Sequence, residues 1–477
     1  MPPHSLLEPS LLDLLPSPSP PYKPRTFSVP EIRSHNSRDS CWLVIRNSVY
    51  DVTSWIPYHP GGPLIYVNAG RDCTQLFDAY HPLCVRVMLA RFYIGELEKS
   101  AGTEFKDFTL LEYESPGKED FYLTLKTRVE NYFHKLQINP RMHPHMLIKS
   151  FLIIFCFILS YYMTFFGSQK FGPSVFFAIV AGLMAAEIGM SIQHDANHGS
   201  YTKWRRLGYL MSITIDLVGV SSFMWRQQHV VGHHSFTNVN GYDPDIRVLK
   251  PNVWRLTREQ PRRTHHNFQH IYLPLLYGIL ALKSVLYDDF VSYFMGSIGF
   301  VKIPKMTTLE LSIFWGTKVA YAVYMFLLPG LFSHYSTRDI ICLYVVMQLV
   351  FGWVLAFLFQ VAHVVEEAAF PVVDSSNGHP MLPRGWAASQ VSSTANFSPA
   401  STFWMHVTGG LNHQIEHHLF PGICHIYYPE IHPIVKMTCK EFNVPYHCFP
   451  TLWAALAAHL RYLKKAGAKS FDFRLNG

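Results

Sequence analysis

Three groups of residues in this sequence could do metal chemistry. They are His194-Asp195-Ala196-Asn197-His198, then His229-Val230-Val231-Gly232-His233-His234, then Gln414-Ile415-Glu416-His417-His418. Residues four apart share a helix face, so His194 pairs with His198 and His229 with His233, with His234 adjacent. Gln414, His417 and His418 fall within about one turn. Imidazole-rich sites suit Zn, Cu, Fe or Ni. Four ligands satisfy one tetrahedral zinc, so seven histidines suggest two metals. The zinc-protease pattern HExxH is absent from the chain. A single histidine is more often a hydrogen-bonded structural residue. The grouping is what argues for one site assembled from distant parts of the chain.

His363, at the end of a long apolar run, is a further candidate ligand, because a polar residue at that depth usually has a function. His406 and His413, beside the third cluster, read as structural, as do His265, His266 and His270. Glu187 lies seven residues before His194 on the same helix face. It could brace a ligand from behind or make an interhelical hydrogen bond.

A second chemistry is written at His59-Pro60-Gly61-Gly62, with His81 following. The Pro-Gly-Gly turn lets backbone pass close to a flat ligand and holds His59 outward. Two imidazoles on opposite faces of a haem leave its iron without an open site, which suits electron transfer rather than oxygen activation.

The elements that must position these residues follow from hydropathy. Runs at about 147–166, 173–192, 309–332 and 340–365 approach the roughly 20 apolar residues a membrane span needs. Short connections join the first two and the last two, giving two hairpins. If the chain before residue 99 is cytosolic, each hairpin goes out and back. All three clusters and His363 then lie on the cytosolic side, together with Lys203, Arg205, Arg206, Lys302 and Lys305, as the positive-inside tendency expects. Residues 207–224 are apolar but contain Asp216, and a crossing there would put the second cluster on the wrong side. They are expected to be buried or re-entrant. Residues 271–300, broken by Lys283, Asp288 and Asp289, are expected to form an interfacial helix.

Residues 1–25, rich in Pro, Ser and Leu, read as a disordered arm without a secretory signal. Residues 26–98 mix charges with short β-like runs, as a soluble module would. Residues 99–145 read as a linker carrying a helix with Phe121, Leu125, Val129, Tyr132 and Phe133 on one side, packed on the soluble part. Residues 146–477 hold the spans and the clusters. Over the 477 residues, 49% are hydrophobic and 15% charged, against roughly 25% charged in a soluble domain. The net charge of +7 is mild and its basic residues are scattered, which argues against nucleic acid and for a membrane-facing surface. The eight cysteines include no CxxC pair, so no disulfide framework is expected.

At His59-Pro60-Gly61-Gly62 and His81, residues 26–98 resemble cytochrome b5. That resemblance implies haem b with His59 and His81 as axial ligands. The three clusters match the histidine boxes of membrane fatty acid desaturases. Gln227-Gln228, Thr237-Asn238 and Asp243-Pro244-Asp245 around the second, and Gly409-Gly410-Leu411-Asn412 before the third, strengthen the match. Gln414 in place of the third box's first histidine, behind a cytochrome b5 module, resembles the front-end desaturases of polyunsaturated acyl chains.

The resemblance implies two Fe ions that activate O2. By it, His194, His198, His229, His233, His234, His417 and His418 carry over as ligands, with Gln414 as a box residue and His363 matching a histidine near the end of the last span. It also implies a long-chain acyl-lipid or acyl-CoA substrate, NADH–cytochrome b5 reductase as donor, and an endoplasmic reticulum membrane with haem domain and boxes cytosolic. The expected architecture is an N-terminal α+β haem domain, then an α-helical membrane domain with four transmembrane helices and a cytosolic di-iron site. Δ5 or Δ4 chemistry is favoured over Δ6 or Δ8. Competing readings are a sphingolipid long-chain-base desaturase, a lipid hydroxylase, and a non-catalytic haem membrane protein that passes electrons.

Overall fold

Alternating residues near the N-terminus form a sheet with two buried faces. Its strands are β1 (Thr26–Phe27), β2 (Asn36–Ser37), β3 (Ser40–Ile45), β4 (Ser48–Asp51), β5 (Arg71–Asp72) and β6 (Tyr93–Leu97), ordered β1-β6-β4-β3-β2 with β5 beside β3. Antiparallel β3 and β4 meet at Arg46 and Asn47, both at positive φ (52° and 68°), as the twist of a two-residue hairpin demands. Cys41, Leu43 and Ile45 pack on one side with Val52, Ile56, Ala69, Cys73 and Phe77. Val44 and Val49 pack on the other with Phe27, Val29, Ile32 and Leu97. Helix α1 (Val29–Ser34), capped by Ser28, closes that second face.

The computed structural model describes residues 25–59, 65, 69–83, 85–98, 112–113, 121–246, 252–374, 381–382 and 384–469. Nearly all of the expected N-terminal arm, and Pro60, Gly61 and Gly62, lie outside them. The chain divides into two units. One takes Met1–Pro140, Val373–Ser389 and Ile434–Phe442; the other takes Arg141–Val372, Gln390–Pro433 and Asn443–Gly477.

The first unit also holds α2 (Thr74–Tyr80) and α3 (Phe121–Leu136). Helix α3 buries Leu125, Val129 and Phe133, as its periodicity predicts, and also Lys126, which it does not. It docks on the sheet module. Tyr122 and Lys126 donate to the Asp78 carbonyl, and Glu130 accepts from the Leu83 amide.

In the second unit four helices are long and apolar enough to cross a membrane: α4 (His145–Gly167), α5 (Phe171–Asn197), α10 (Thr308–Phe332) and α11 (Thr337–His363). Helix α11 starts three residues earlier than hydropathy suggests, because Ser336 and Asp339 form a capping box. It ends at His363. Gly182 lets α5 press against α11: a Cβ there would lie 2.5 Å from the Met347 carbonyl.

The two ambiguous stretches are bent. Helices α6 (Arg205–Val218) and α7 (Ser222–His233) meet at 110°. Gly219, at φ 93°, makes the corner, and a Cβ on it would strike the Tyr321 ring. The Asp216 carboxylate is spent on the Ser222 amide, at the start of α7. Helices α8 (Thr264–Leu276) and α9 (Ile279–Met295) meet at 77°. The helical stretch stops short of residue 300, because Gly296 turns left-handed into a two-stranded ribbon.

Candidate functional site

The last turns of α5 deliver the first cluster. Residues Ile188–Gln193 are π-helical and lead directly into His194–Asn197, with His198 as the cap. The end of α7 (Arg226–His233) is π-helical too, and the His234 amide bonds the His229 carbonyl. Such widened turns are frequent at functional sites. Here one brings His229 and His234 together, their Nε2 atoms 3.2 Å apart. Helix α12 (Gln414–Leu419) carries the third cluster. It is reached through Gly409 and Gly410, at φ 59° and 78°. A Cβ on Gly409 would strike the Met190 carbonyl of α5, and one on Gly410 would strike His425.

All the histidines of the three clusters are buried and converge with His363. His194, His198, His229 and His417 bring ligand atoms within 4.8 Å of one another; so do His233, His363 and His418, and so do His234, His417 and His418. The grouping cuts across the clusters. His229 and His233, expected to act as a pair, stack at 5.1 Å and meet at Asp245, yet each also joins histidines of other clusters. The Nε2 atoms of His417 and His234 are 3.0 Å apart. Imidazoles sharing one ion at metal–nitrogen distances of about 2.1 Å would be spaced roughly 3.0–3.4 Å.

Partners outside the groups fix the rings. His233 Nδ1 donates to Asp243 at 3.0 Å, and His229 Nδ1 lies 3.7 Å from Asp245. His418 Nδ1 donates to Gln390 Oε1 at 2.7 Å, and His417 Nδ1 is 3.2 Å from the Tyr428 hydroxyl. These bonds hold Nδ1 and leave Nε2 for the centre, the usual second layer of a histidine metal site. Burial and neighbouring imidazoles hold His198, His234, His417 and His418 well below the ordinary histidine range, so each is a neutral donor. His194 Nε2, His418 Nε2 and Gln414 Oε1 are buried and make no hydrogen bond. Buried polar atoms are rarely left so, and ions would engage them. An all-imidazole donor set in overlapping groups fits two metal ions.

Gln414 donates through Nε2 to His363 Nε2 at 2.8 Å. Glu187 braces no histidine; it accepts from Ser191, one turn along its own helix. His265 and His266 both bond the Asn252 carbonyl. His413 lies 3.7 Å from Glu416.

Several supporting residues carry no role in the sequence reading. Asn238, at φ 60°, donates to the carbonyls of His363, Ala369 and Ser393 and joins the second cluster to the end of α11. Asp195 accepts from the ring and the amide of His425, which joins the first cluster to the chain after the third. Glu416 accepts from Asn396 and Tyr446, both at 2.7 Å. The one available signal was chemical: a buried histidine needs an acceptor, and Asp243 and Asp245 lie within 16 residues of His229.

In the first unit His59 and His81 present Nε2 atoms to each other at 3.4 Å. His81 Nδ1 donates to the Phe77 carbonyl and its ring stacks on Phe77. Trp55, Ile65, Val85, Leu89 and Phe92 pack around the adjoining core. Two facing imidazoles over an apolar cradle fit the axial ligation of a haem.

Comparison with known proteins agrees with both sites. Residues 28–98 match the cytochrome b5-like haem/steroid binding domain, and residues 171–450 match the fatty acid desaturase family. An acyl-lipid (8-3)-desaturase of Physcomitrium patens is 58% identical over 454 residues, 95% of this chain and 93% of that one. An acyl-lipid (8-3)-desaturase of Mortierella alpina is 34% identical over 451 residues, 93% of this chain and 98% of that one. Delta(5) fatty acid desaturase A of Dictyostelium discoideum is 34% identical over 448 residues, 93% of this chain and 94% of that one. The haem module thus accompanies a two-metal histidine centre of the kind that takes iron, and the chain belongs to the fatty acid desaturase family, as a cytochrome b5-fused front-end member.

Proposed function

We propose that this enzyme inserts a cis double bond at the Δ5 position of a long-chain polyunsaturated acyl group carried on a lipid. The observation that carries the reading is the convergence of three histidine clusters and His363 in one buried centre, in a chain 58% identical to an acyl-lipid (8-3)-desaturase. His194, His198, His229, His233, His234, His363, His417 and His418 are the ligands. Gln414 holds His363, and its Oε1 is the remaining donor. The two iron ions, when bound, activate O2 for hydrogen abstraction from an unactivated methylene. Desaturation removes two hydrogens while O2 becomes two waters, so two further electrons and two protons must be supplied. His59 and His81 would hold the haem, which would supply one-electron transfer, with NADH–cytochrome b5 reductase as the donor. Fusion raises the carrier's effective concentration at the centre. The protein's own work at the centre is to hold the imidazoles in place through Asp243, Asp245, Gln390 and Tyr428. The four apolar helices span the endoplasmic reticulum membrane as two hairpins, with the haem module and centre on the cytosolic side.

Product analysis in yeast fed a panel of C16 to C22 acids, with and without a double bond at carbon 8, tests this reading. The expected product is a new cis Δ5 bond, found in phospholipid before acyl-CoA. A Δ4 or Δ6 product, or a hydroxylated or sphingoid one, overturns it.

A further inference from the structure

The haem module has a buried cation that comes from outside the matched residues 28–98. Lys126, on α3, is 5% exposed. Its Nζ donates to the Asp78 carbonyl at 2.5 Å and to the His81 carbonyl at 2.6 Å. These carbonyls lie at the C-terminal end of α2, where helices leave acceptors unsatisfied and the helix dipole is negative. Either side of it, Tyr122 donates to the Asp78 carbonyl, and Glu130 accepts from the Leu83 amide. The Asp78 carboxylate is paired separately, with Arg46 and Arg86. One helix therefore grips the short segment on which His81 stands, and does so with a charge.

We propose that Lys126 is a positioning residue of the electron-transfer module: it fixes the backbone that presents His81 and raises the reduction potential of the haem held there. The inference rests on the haem reading of His59 and His81. A ferric haem carries one more positive charge than a ferrous one. A nearby buried ammonium therefore favours the reduced state, and low local dielectric keeps that effect from being screened away. The α3 helix thus makes the carrier a better acceptor from its reductase than the matched module alone would be.

The test is a spectroelectrochemical titration of the haem bands in the purified full-length protein. Lys126→Gln should lower the one-electron reduction constant about three- to tenfold, which is about 28–59 mV. Lys126→Arg, which keeps the charge, should stay near the parent value. Glu130→Gln, which removes the neighbouring carboxylate and leaves an acceptor for Leu83, should move the potential the opposite way. An unchanged potential in Lys126→Gln overturns the proposal. If that variant does not hold haem, Glu130→Gln decides: an upward shift supports the proposal and no shift overturns it. Loss of haem bands in His59→Ala and His81→Ala checks the underlying reading separately. Retention of an unchanged six-coordinate spectrum in those two variants would sink the haem assignment rather than the role of Lys126.

Discussion

His417 and His418 are neighbours in sequence, yet their rings stand at 86° with centroids 5.4 Å apart. His417 joins His194, His198 and His229, while His418 joins His233 and His363. A single turn of α12 thus supplies both halves of the centre, and His234 reaches both residues. Replacing either histidine with alanine should therefore lower iron content below two per chain and abolish desaturation. On the ligand set proposed above, the loss should exceed the roughly 10- to 100-fold typical of a ligand's outer partners. Iron analysis on the purified proteins, with product formation in yeast, checks this. Full iron occupancy in His418→Ala would remove it from the ligand set.

Asp243 is buried and takes the Nδ1 hydrogen of His233 at 3.0 Å while accepting the amide of Asn238 at 2.8 Å. It therefore sets both the ring and the loop that follows. Asp243→Asn keeps the size but weakens the acceptor and removes the charge. Metal affinity should fall about 10- to 100-fold, with activity partly recovered by added iron. Titration of iron into the metal-free variant measures it. A silent substitution would mean that the histidine ring is held by packing alone.

The contrast between these two residues shows what the sequence made legible. The ligand candidates were visible because metal chemistry needs one residue type in local groups, and the spans because a membrane needs long apolar runs. The sharing of ligands was not visible. It depends on π-helical turns before His194 and through His233, and periodicity arguments assume the 3.6-residue turn. The supports were hidden for another reason. Gln390, Asn238, Asp195 and Glu416 meet their partners through tertiary contacts that no local pattern encodes. Lys126 carries no role in the helix periodicity, and only the fold shows that it meets backbone carbonyls.

Cys41 and Cys73 line the core of the haem module. Burial, reinforced by Asp51, pushes the Cys41 thiol up to about 12, and burial with Asp72 pushes Cys73 up as well. In the unfolded chain both thiols ionise near 8.5. Between that value and about 12 the unfolded state holds fewer protons than the folded one, so stability falls as pH rises through this window. The module should be insensitive to these groups below pH ~8 and should lose up to about 1.4 kcal/mol per pH unit per thiol above it. Denaturation followed by haem absorbance at a series of pH values tests this. Cys41→Ala should flatten the alkaline slope, and an unchanged slope would assign the loss to other groups.

The bends at Gly219 and between α8 and α9 leave four helices as the straight spans. If they cross as two hairpins, the connection holding His334 lies on the far side of the membrane from the metal centre. The segment before α10, which holds the exposed Lys305, lies on the near side. A membrane-impermeant maleimide applied to sealed microsomes should label Lys305→Cys at once and His334→Cys only after permeabilisation. Cys342 is exposed in the second turn of α11 and should follow His334 where the reagent reaches it. Immediate labelling of His334→Cys with protection of Lys305→Cys in sealed vesicles would invert the second hairpin. One bent pair would then have to cross, and the three histidine clusters could no longer share a membrane face.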